Sequence, residues 1–149
     1  MKNLWSLVLI AILLITGACQ IDSGVPVIEK DAVTPVAPTP AEGQSTVIGR
    51  ALNSSGEPLI NLSIRLAEVY RGEDGNAAFA LDEAFSPAAL TDNQGFFIFN
   101  SIPAGEYVLF IGSITTEFMI VQNSDGSAVV YKANPGEILA IETITATFD

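Results

Sequence analysis

The chain has 149 residues and an acidic composition, with 17 Asp and Glu against 6 Lys and Arg and a formal net charge of -11. This length suits about one domain, and the negative charge excludes phosphate-rich partners such as nucleic acid. The sequence has 1 Cys and no His, so it offers no internal disulfide and lacks the commonest general base and metal ligand. Carboxylates remain the main candidates for any catalytic role.

Residues 1–18 have the order of a secretory signal peptide. Lys2 supplies a positive start, residues 4–15 form an apolar core and residues 16–18 are small. The uncharged stretch is shorter than the ~20 residues that a helix needs to cross a bilayer. We therefore predict that residues 1–18 are an export signal.

The sequence Ile15-Thr16-Gly17-Ala18-Cys19 resembles the lipobox of bacterial lipoproteins, with Thr16 where leucine is usual. The resemblance implies that the Cys19 thiol acquires diacylglycerol through a thioether and that a lipoprotein signal peptidase cuts before it. A thiol suits this role because a sulfur nucleophile can be alkylated in water. The alternative is that Cys19 is merely a small residue beside an ordinary cleavage site.

Lipid on Cys19 would place the protein outside the cytoplasm, anchored to a bacterial membrane on the cell surface or the periplasmic face. Acyl chains contribute ~0.8 kcal/mol for each buried CH₂ group, so two or three chains anchor stably where one does not. We expect no cofactor other than this covalent lipid.

Residues 19–44 are predicted to be a Pro-rich tether. Pro26, Pro35, Pro38 and Pro40 place half of the chain's 8 prolines here. Proline fixes φ and removes a hydrogen-bond donor, so we expect an extended, solvated spacer that reaches roughly 30 to 80 Å. The alternative is a Pro-rich ligand for a partner domain.

Residues 45–149 are predicted to form one all-β domain, an antiparallel β-sandwich of about seven strands. Residues 47–52 and 62–67 alternate with a period of two, and turn sequences follow at residues 53–58 and 91–95. In the second turn, Asp92 is expected to bond its own backbone and Gly95 to take a positive φ. Further strand-like runs occupy residues 96–99, 107–111, 118–121, 128–131 and 138–148.

Five ordered motifs of this domain resemble the carboxypeptidase regulatory-like family. They are Val47-x-Gly49-x-Ala51, Gly56-x-Pro58-Leu59, Leu62-x-Ile64-x-Leu66, Thr91-Asp92-x-x-Gly95-x-Phe97-x-Phe99 and Ile102-Pro103-x-Gly105-x-Tyr107-x-Leu109. The resemblance implies a prealbumin-like sandwich, also described as a carbohydrate-binding-like fold. It further implies a stabilising or binding accessory without an active site, so we expect no enzyme activity.

The segment 70–89 is longer than a simple hairpin loop and contains acidic groups. With Asp74 as first ligand, the EF-hand register places Phe79 where glycine is required, so a calcium site of that type fails. Asp82 and Glu83 would point to opposite faces of a strand, which argues against a glycosidase carboxylate pair. The prediction is a solvated loop, with a looser calcium site as the alternative.

The run 96–111, taken as a hairpin, is apolar on both faces. The inner face would carry Phe97, Phe99, Tyr107 and Leu109, and the second face would carry Phe96, Ile98, Val108 and Phe110. A monomeric soluble domain rarely leaves such a patch open, so something should cover it. We predict cover by Phe79, Leu81 and Phe85 of segment 70–89. Otherwise the second face is a candidate interaction face.

Two functions fit these expectations. The first is a membrane-anchored extracytoplasmic lipoprotein with a non-catalytic structural or protein-interaction β-sandwich. The alternative is a carbohydrate-binding surface module, which would need exposed aromatic rings. Trp5 lies in the export signal, and of the three tyrosines, Tyr70, Tyr107 and Tyr131, Tyr107 is expected to point inward. The expected partners are the membrane and either a surface protein or a glycan.

The lipid anchor yields a direct prediction, because no other cysteine can replace Cys19. Cys19→Ser should abolish both lipid labelling and cleavage by the lipoprotein signal peptidase. Metabolic labelling with an alkyne fatty acid, followed by mass analysis of the amino terminus, measures both. A wild-type chain that stays unlabelled would contradict the anchor.

Overall fold

The structure is a computed structural model that describes residues 33–148, and these residues form ten strands and no helix. The export signal, Cys19 and the first part of the tether lie outside the described residues. The strands are β1 (Gln44–Leu52), β2 (Ser63–Arg71), β3 (Ala77–Ala80), β4 (Ala88–Leu90), β5 (Phe96–Pro103), β6 (Gly105–Ser113), β7 (Glu117–Ile120), β8 (Val130–Ala133), β9 (Ile138–Ala140) and β10 (Ile144–Thr145). Between residues 33 and 148, no helix is long and apolar enough to cross a membrane.

The strands form two sheets that make a sandwich. In the smaller sheet, β1 pairs antiparallel with β5 on one edge and parallel with β9 and β10 on the other. In the larger sheet, β2 and β6 pair antiparallel at the centre, with β3 and β4 along β2 and with β7 and β8 along β6. The pairs β3 and β4, β7 and β8, and β9 and β10 each lie end to end along one neighbouring strand. The ten strands therefore occupy seven strand positions across the two sheets. The predicted all-β sandwich is confirmed, except that β9 and β10 add parallel pairs.

The hydrophobic core lies between the sheets because alternate side chains of each strand point inward. Ile64 and Leu109 of the larger sheet are fully buried there. Opposite them, the Phe97 ring lies over Gly49, where an added Cβ would sit 2.4 Å from the ring. Glycine at position 49 therefore makes the room that Phe97 occupies, and Phe97 in turn meets Phe99 edge to face with ring centroids 5.9 Å apart.

Four turns of the domain repeat one geometry. Such turns begin at Asn53, Gly72, Asp92 and Asn123. In each, a glycine three residues later has a positive φ and donates its N–H to the carbonyl of the first residue. At Asp92 the carboxylate also accepts the N–H groups of Gln94 and Phe96, at 2.8 and 2.9 Å. The predicted turn with Gly95 at positive φ is confirmed, since that φ is 81°.

The predicted hairpin of residues 96–111 is wrong. β5 pairs with β1 and β6 pairs with β2, so the two strands lie in different sheets with Ala104 alone between them. Tyr107 braces this crossing, because its hydroxyl donates to the Pro103 carbonyl at 2.7 Å. Burial raises the pKa of the Tyr107 hydroxyl, so it stays a protonated donor to a higher pH than an exposed tyrosine would.

The described part of the Pro-rich segment lies against the smaller sheet. Thr34 lines a hollow together with Ile48, Arg50 and Phe96 of the outer face of that sheet. The N–H of Ala41 donates to the Ser101 hydroxyl of β5 at 3.1 Å. Residues 33–40 have no regular secondary structure. The tether as a whole stays a prediction, because most of it lies outside the described residues.

Gly95→Val should destabilise the fold through both conformation and space. A side chain at a φ of 81° is strained, and a Cβ would lie 2.4 Å from the Ala51 carbonyl oxygen. We expect a loss of about 1–3 kcal/mol in the free energy of unfolding from strain of this kind. Urea unfolding followed by circular dichroism measures the loss.

Gly56→Val is the matched control, because Gly56 has a φ of 82° in an equivalent turn but open space around its Cβ position. It should cost less than Gly95→Val. Equal unfolding midpoints for the two variants would contradict the role given to the Ala51 carbonyl.

Candidate functional site

The four residues predicted to form one interaction face lie on opposite sides of the sandwich. Phe96 and Ile98 are on the outer face of the smaller sheet, whereas Val108 and Phe110 are on the outer face of the larger sheet. The separation follows from the crossing at Ala104, which puts β5 and β6 in different sheets. Two separate faces must therefore be considered.

The face of the smaller sheet is covered locally. The Arg50 guanidinium lies 5.1 Å from the centre of the Phe96 ring, and its Nε donates to the Gln94 carbonyl at 2.8 Å. Cation–π contact of this kind stabilises a ring while shielding it from water. Phe96 is consequently only 7% exposed, so little of this ring is left for a partner.

The face of the larger sheet is apolar and partly open. We call it the aromatic face, and it consists of Val69, Phe79, Val108, Phe110, Phe118, Ile120 and Val130. Phe110 is its centre, with Phe79 edge to face at 5.8 Å and Phe118 stacked at 5.4 Å. The two flanking rings remain 42% and 45% exposed, respectively. The sheet thus presents neighbouring aromatic rings to solvent.

Segment 70–89 supplies part of the cover for Phe110, as predicted for Phe79 and Leu81. Phe85 does not take part, since it is 86% exposed and lies in a different place. The segment is also more ordered than the predicted loop, because it contains β3 and β4, which both pair with β2. At one end the aromatic face meets an ion pair between Arg71 Nε and Glu106 Oε2, 2.7 Å apart.

A groove opens on the other side of the β2–β3 hairpin, with a volume of about 430 Å³. Ile64 and Leu66 of β2 point into the core, but Glu68 and Tyr70 continue that face into solvent. The groove is lined by Leu66, Glu68, Tyr70, Ala80, Asp82, Phe85, Ser86, Pro87, Pro103 and Tyr107. It therefore combines aromatic rings with two carboxylates.

Hydrogen bonds fix the walls of the groove. The Tyr70 hydroxyl donates to Glu68 Oε2 at 2.8 Å, and this bond raises the pKa of the tyrosine above its usual value. On the opposite wall, Asp82 Oδ1 accepts the N–H groups of Ala84 and Phe85, while the Asp82 N–H donates to the Ser86 hydroxyl. Asp82 thus holds the turn that presents Phe85.

The sequence contains a signal for this groove. The inward positions of β2 are apolar at Ile64 and Leu66 and become polar at Glu68 and Tyr70. That change marks where β2 extends beyond the hydrophobic core. Without the pairing of β2 and β3, however, alternation cannot show that segment 77–87 forms the opposite wall.

The acidic residues of the described chain do not form a metal cluster, because residues 33–148 contain no group of three or more His, Cys, Asp or Glu side chains placed to share an ion. Asp74 and Asn76 instead bond each other within a turn, with Asn76 Nδ2 2.6 Å from Asp74 Oδ2. This turn is where a calcium loop had been considered.

No family model and no curated protein matches the chain. A Pseudomonas aeruginosa protein proposed to bind carbohydrate resembles it over 76% of this chain and 99% of its own, at 17% identity and a TM-score of 0.42. The dioxygenase domain of a dioxygenase carbohydrate-binding fusion from Streptomyces sp. SirexAA-E matches 76% of this chain and 86% of its own, at 15% identity and 0.43.

A 9R-lipoxygenase from Cyanothece PCC8801 matches 76% of this chain at 17% identity and a TM-score of 0.40. The chain spans only 18% of that lipoxygenase. All three likenesses are distant, so neither ligand nor activity is carried over from them.

Replacing residues 72–86 with a short Gly-containing turn should uncover the aromatic face. The change removes Phe79 and Leu81, so Phe110 loses its cover on one side. For the soluble chain beginning at Gln20, we expect more fluorescence from a bound hydrophobic dye and more self-association in sedimentation.

Phe85→Ala is the matched control, since it removes a ring from the same segment that lies outside the aromatic face. Its dye signal should equal that of the unchanged chain. A shortened chain that stays monomeric and silent to the dye would show that segment 70–89 is not the cover.

Proposed function

We propose that this chain is a bacterial lipoprotein whose non-catalytic β-sandwich binds another protein through the aromatic face. Export and anchoring would follow from the lipobox-like residues 15–19, and the Pro-rich segment would set the distance from the membrane. The observation that carries the binding function is the pair of half-exposed rings, Phe79 and Phe118, on either side of Phe110.

The physical argument is the cost of exposing such a face. Burying apolar surface stabilises by about 25 cal/mol per Å², and aromatic residues supply much of the energy of protein interfaces. The rim also suits a protein partner, because Arg71 and Glu106 lie at the edge of the aromatic face, where charged groups remain hydrated. A non-catalytic role agrees with the use of Asp82 and Asp92 carboxylates in turns.

Carbohydrate binding is a second candidate, and it would use the groove instead of the aromatic face. The observation in its favour is that Tyr70 is 54% exposed beside the Glu68 carboxylate. A sugar ring could stack on the tyrosine while its hydroxyls donate to the carboxylate. A glycan array with the unchanged chain and Tyr70→Leu tests this candidate, which requires binding that the variant loses.

The aromatic face is tested by photo-crosslinking in cells that make the full chain. A photoreactive phenylalanine at position 118 should form a crosslinked protein product, because this ring is half exposed beside Phe110 in the proposed interface. The same group at Thr145, an exposed residue of β10 in the smaller sheet, is the control and should give none.

The product at position 118 should also disappear when Phe79 is changed to Ser, provided that circular dichroism shows an unchanged fold. Equal crosslinking at positions 118 and 145, or none at either, would contradict a partner on the aromatic face. A product with twice the mass of the chain would identify the partner as a second copy.

A further inference from the structure

The groove has few side-chain hydrogen-bond donors left for a ligand. The Tyr70 hydroxyl donates to Glu68, and the Tyr107 hydroxyl donates to the Pro103 carbonyl. Of the residues that line the groove, Ser86 alone keeps a side-chain O–H that no described bond uses. In contrast, a carboxylate has about four acceptor sites, and Glu68 uses one of them for Tyr70. The groove therefore favours a ligand that only donates.

The charge of the groove points the same way. Its lining contains Glu68 and Asp82 but no Lys or Arg. The nearby cations are engaged elsewhere: Arg71 pairs with Glu106, Lys132 stands opposite Glu106 in register, and the Arg65 guanidinium donates to the Glu83 carbonyl at 2.9 Å. Since the whole chain also carries a net charge of -11, the potential in the groove attracts a cation.

The exposed rings supply the remaining feature. Tyr70 and Phe85 are 54% and 86% exposed at the groove, and the negative face of an aromatic ring attracts an ammonium or guanidinium group. A guanidinium binds a carboxylate best with both oxygens at once, but one oxygen of Glu68 already accepts the Tyr70 hydroxyl. A compact ammonium group needs only the free oxygen.

We infer that the groove binds a lysine side chain of a partner protein, with its ammonium group donating to Glu68 and lying against the rings of Tyr70 and Phe85. The volume of about 430 Å³ is that of a small-ligand pocket, so it accommodates the whole side chain. The inference depends on the proposed function in one respect, namely that the lysine belongs to a partner protein. The groove and the aromatic face lie on opposite sides of the β2–β3 hairpin and are tested separately.

The test uses the full chain in a nonionic detergent and a fluorescein-labelled pentapeptide that has one lysine between glycines. Fluorescence anisotropy should show binding of this peptide and none of the same peptide with norleucine, which keeps the alkyl chain and lacks the charge. Glu68→Gln should weaken binding roughly tenfold, as expected for loss of a hydrogen bond to a charged group. Glu57→Gln removes an equal charge in the exposed turn beyond the Leu52 end of β1, whereas the groove-lining Pro103 pairs with Gln44 at the other end of that strand. It should change affinity less than about twofold, because distant exposed charges are screened.

Tyr70 separates the contribution of the ring from that of its hydroxyl. Tyr70→Phe keeps the ring and frees the Glu68 oxygen, so binding should be retained or strengthened. Tyr70→Leu removes the ring and should weaken binding several-fold. Circular dichroism of each variant checks that the fold is unchanged.

Equal binding of the lysine and norleucine peptides would overturn the inference, as would equal effects of Glu68→Gln and Glu57→Gln. Binding of cellohexaose that Tyr70→Leu abolishes, without binding of the lysine peptide, would assign the groove to sugar instead. Phe118→Ser should leave lysine-peptide binding unchanged. Failure of crosslinking at position 118 with intact peptide binding would thus contradict the aromatic face alone.

Discussion

Ala104 carries the chain from the smaller to the larger sheet, so β5 and β6 fill one core from opposite sides. The hydrogen bond from Tyr107 to the Pro103 carbonyl, 2.7 Å long, holds the chain at this crossing. Because the crossing takes a single residue, the inward positions Phe99 and Tyr107 both remain in the core. Their neighbours must then point outward on two different faces of the sandwich.

The two outer faces differ in solvent exposure because different side chains cover their central aromatic rings. On the smaller sheet, Arg50 covers Phe96 from within the same sheet. On the larger sheet, Phe110 is equally buried, but the rings that cover it, Phe79 and Phe118, are themselves half exposed. The same apolar alternation therefore leaves exposed aromatic rings on the larger sheet, whereas the outward ring of the smaller sheet, Phe96, is covered.

Much of the fold could be predicted from sequence, because its local rules are strong. A period of two placed Phe97, Phe99 and Leu109 inward, and the turn begun by Asp92 required positive φ at Gly95. Pairing could not be predicted in the same way. A short connection suits a hairpin as well as a crossing, and alternation within a strand does not say which strand lies beside it.

Both candidate sites depend on the strand pairing, which the sequence alone does not reveal. Phe118 comes beside Phe110 only because β7 pairs with β6, and Ala80 faces Glu68 only because β3 pairs with β2. The sequence could therefore identify outward apolar residues that must be covered and polar residues that lie beyond the core. It could not show which of these residues contact one another. The groove at Tyr70 and the aromatic face at Phe118 both appear once the strands are paired.

The most direct test of this account is the set of interstrand nuclear Overhauser effects in the isotope-labelled full chain in detergent. The structure predicts close backbone protons between Ile48 and Ile98 and between Ala67 and Val108, which are paired residues of the smaller and larger sheets. It predicts none between the facing portions of β5 and β6, since packed sheets lie about 10 Å apart. A ladder of such effects directly joining residues 97–99 to residues 107–109 would mean a hairpin and would contradict the crossing at Ala104.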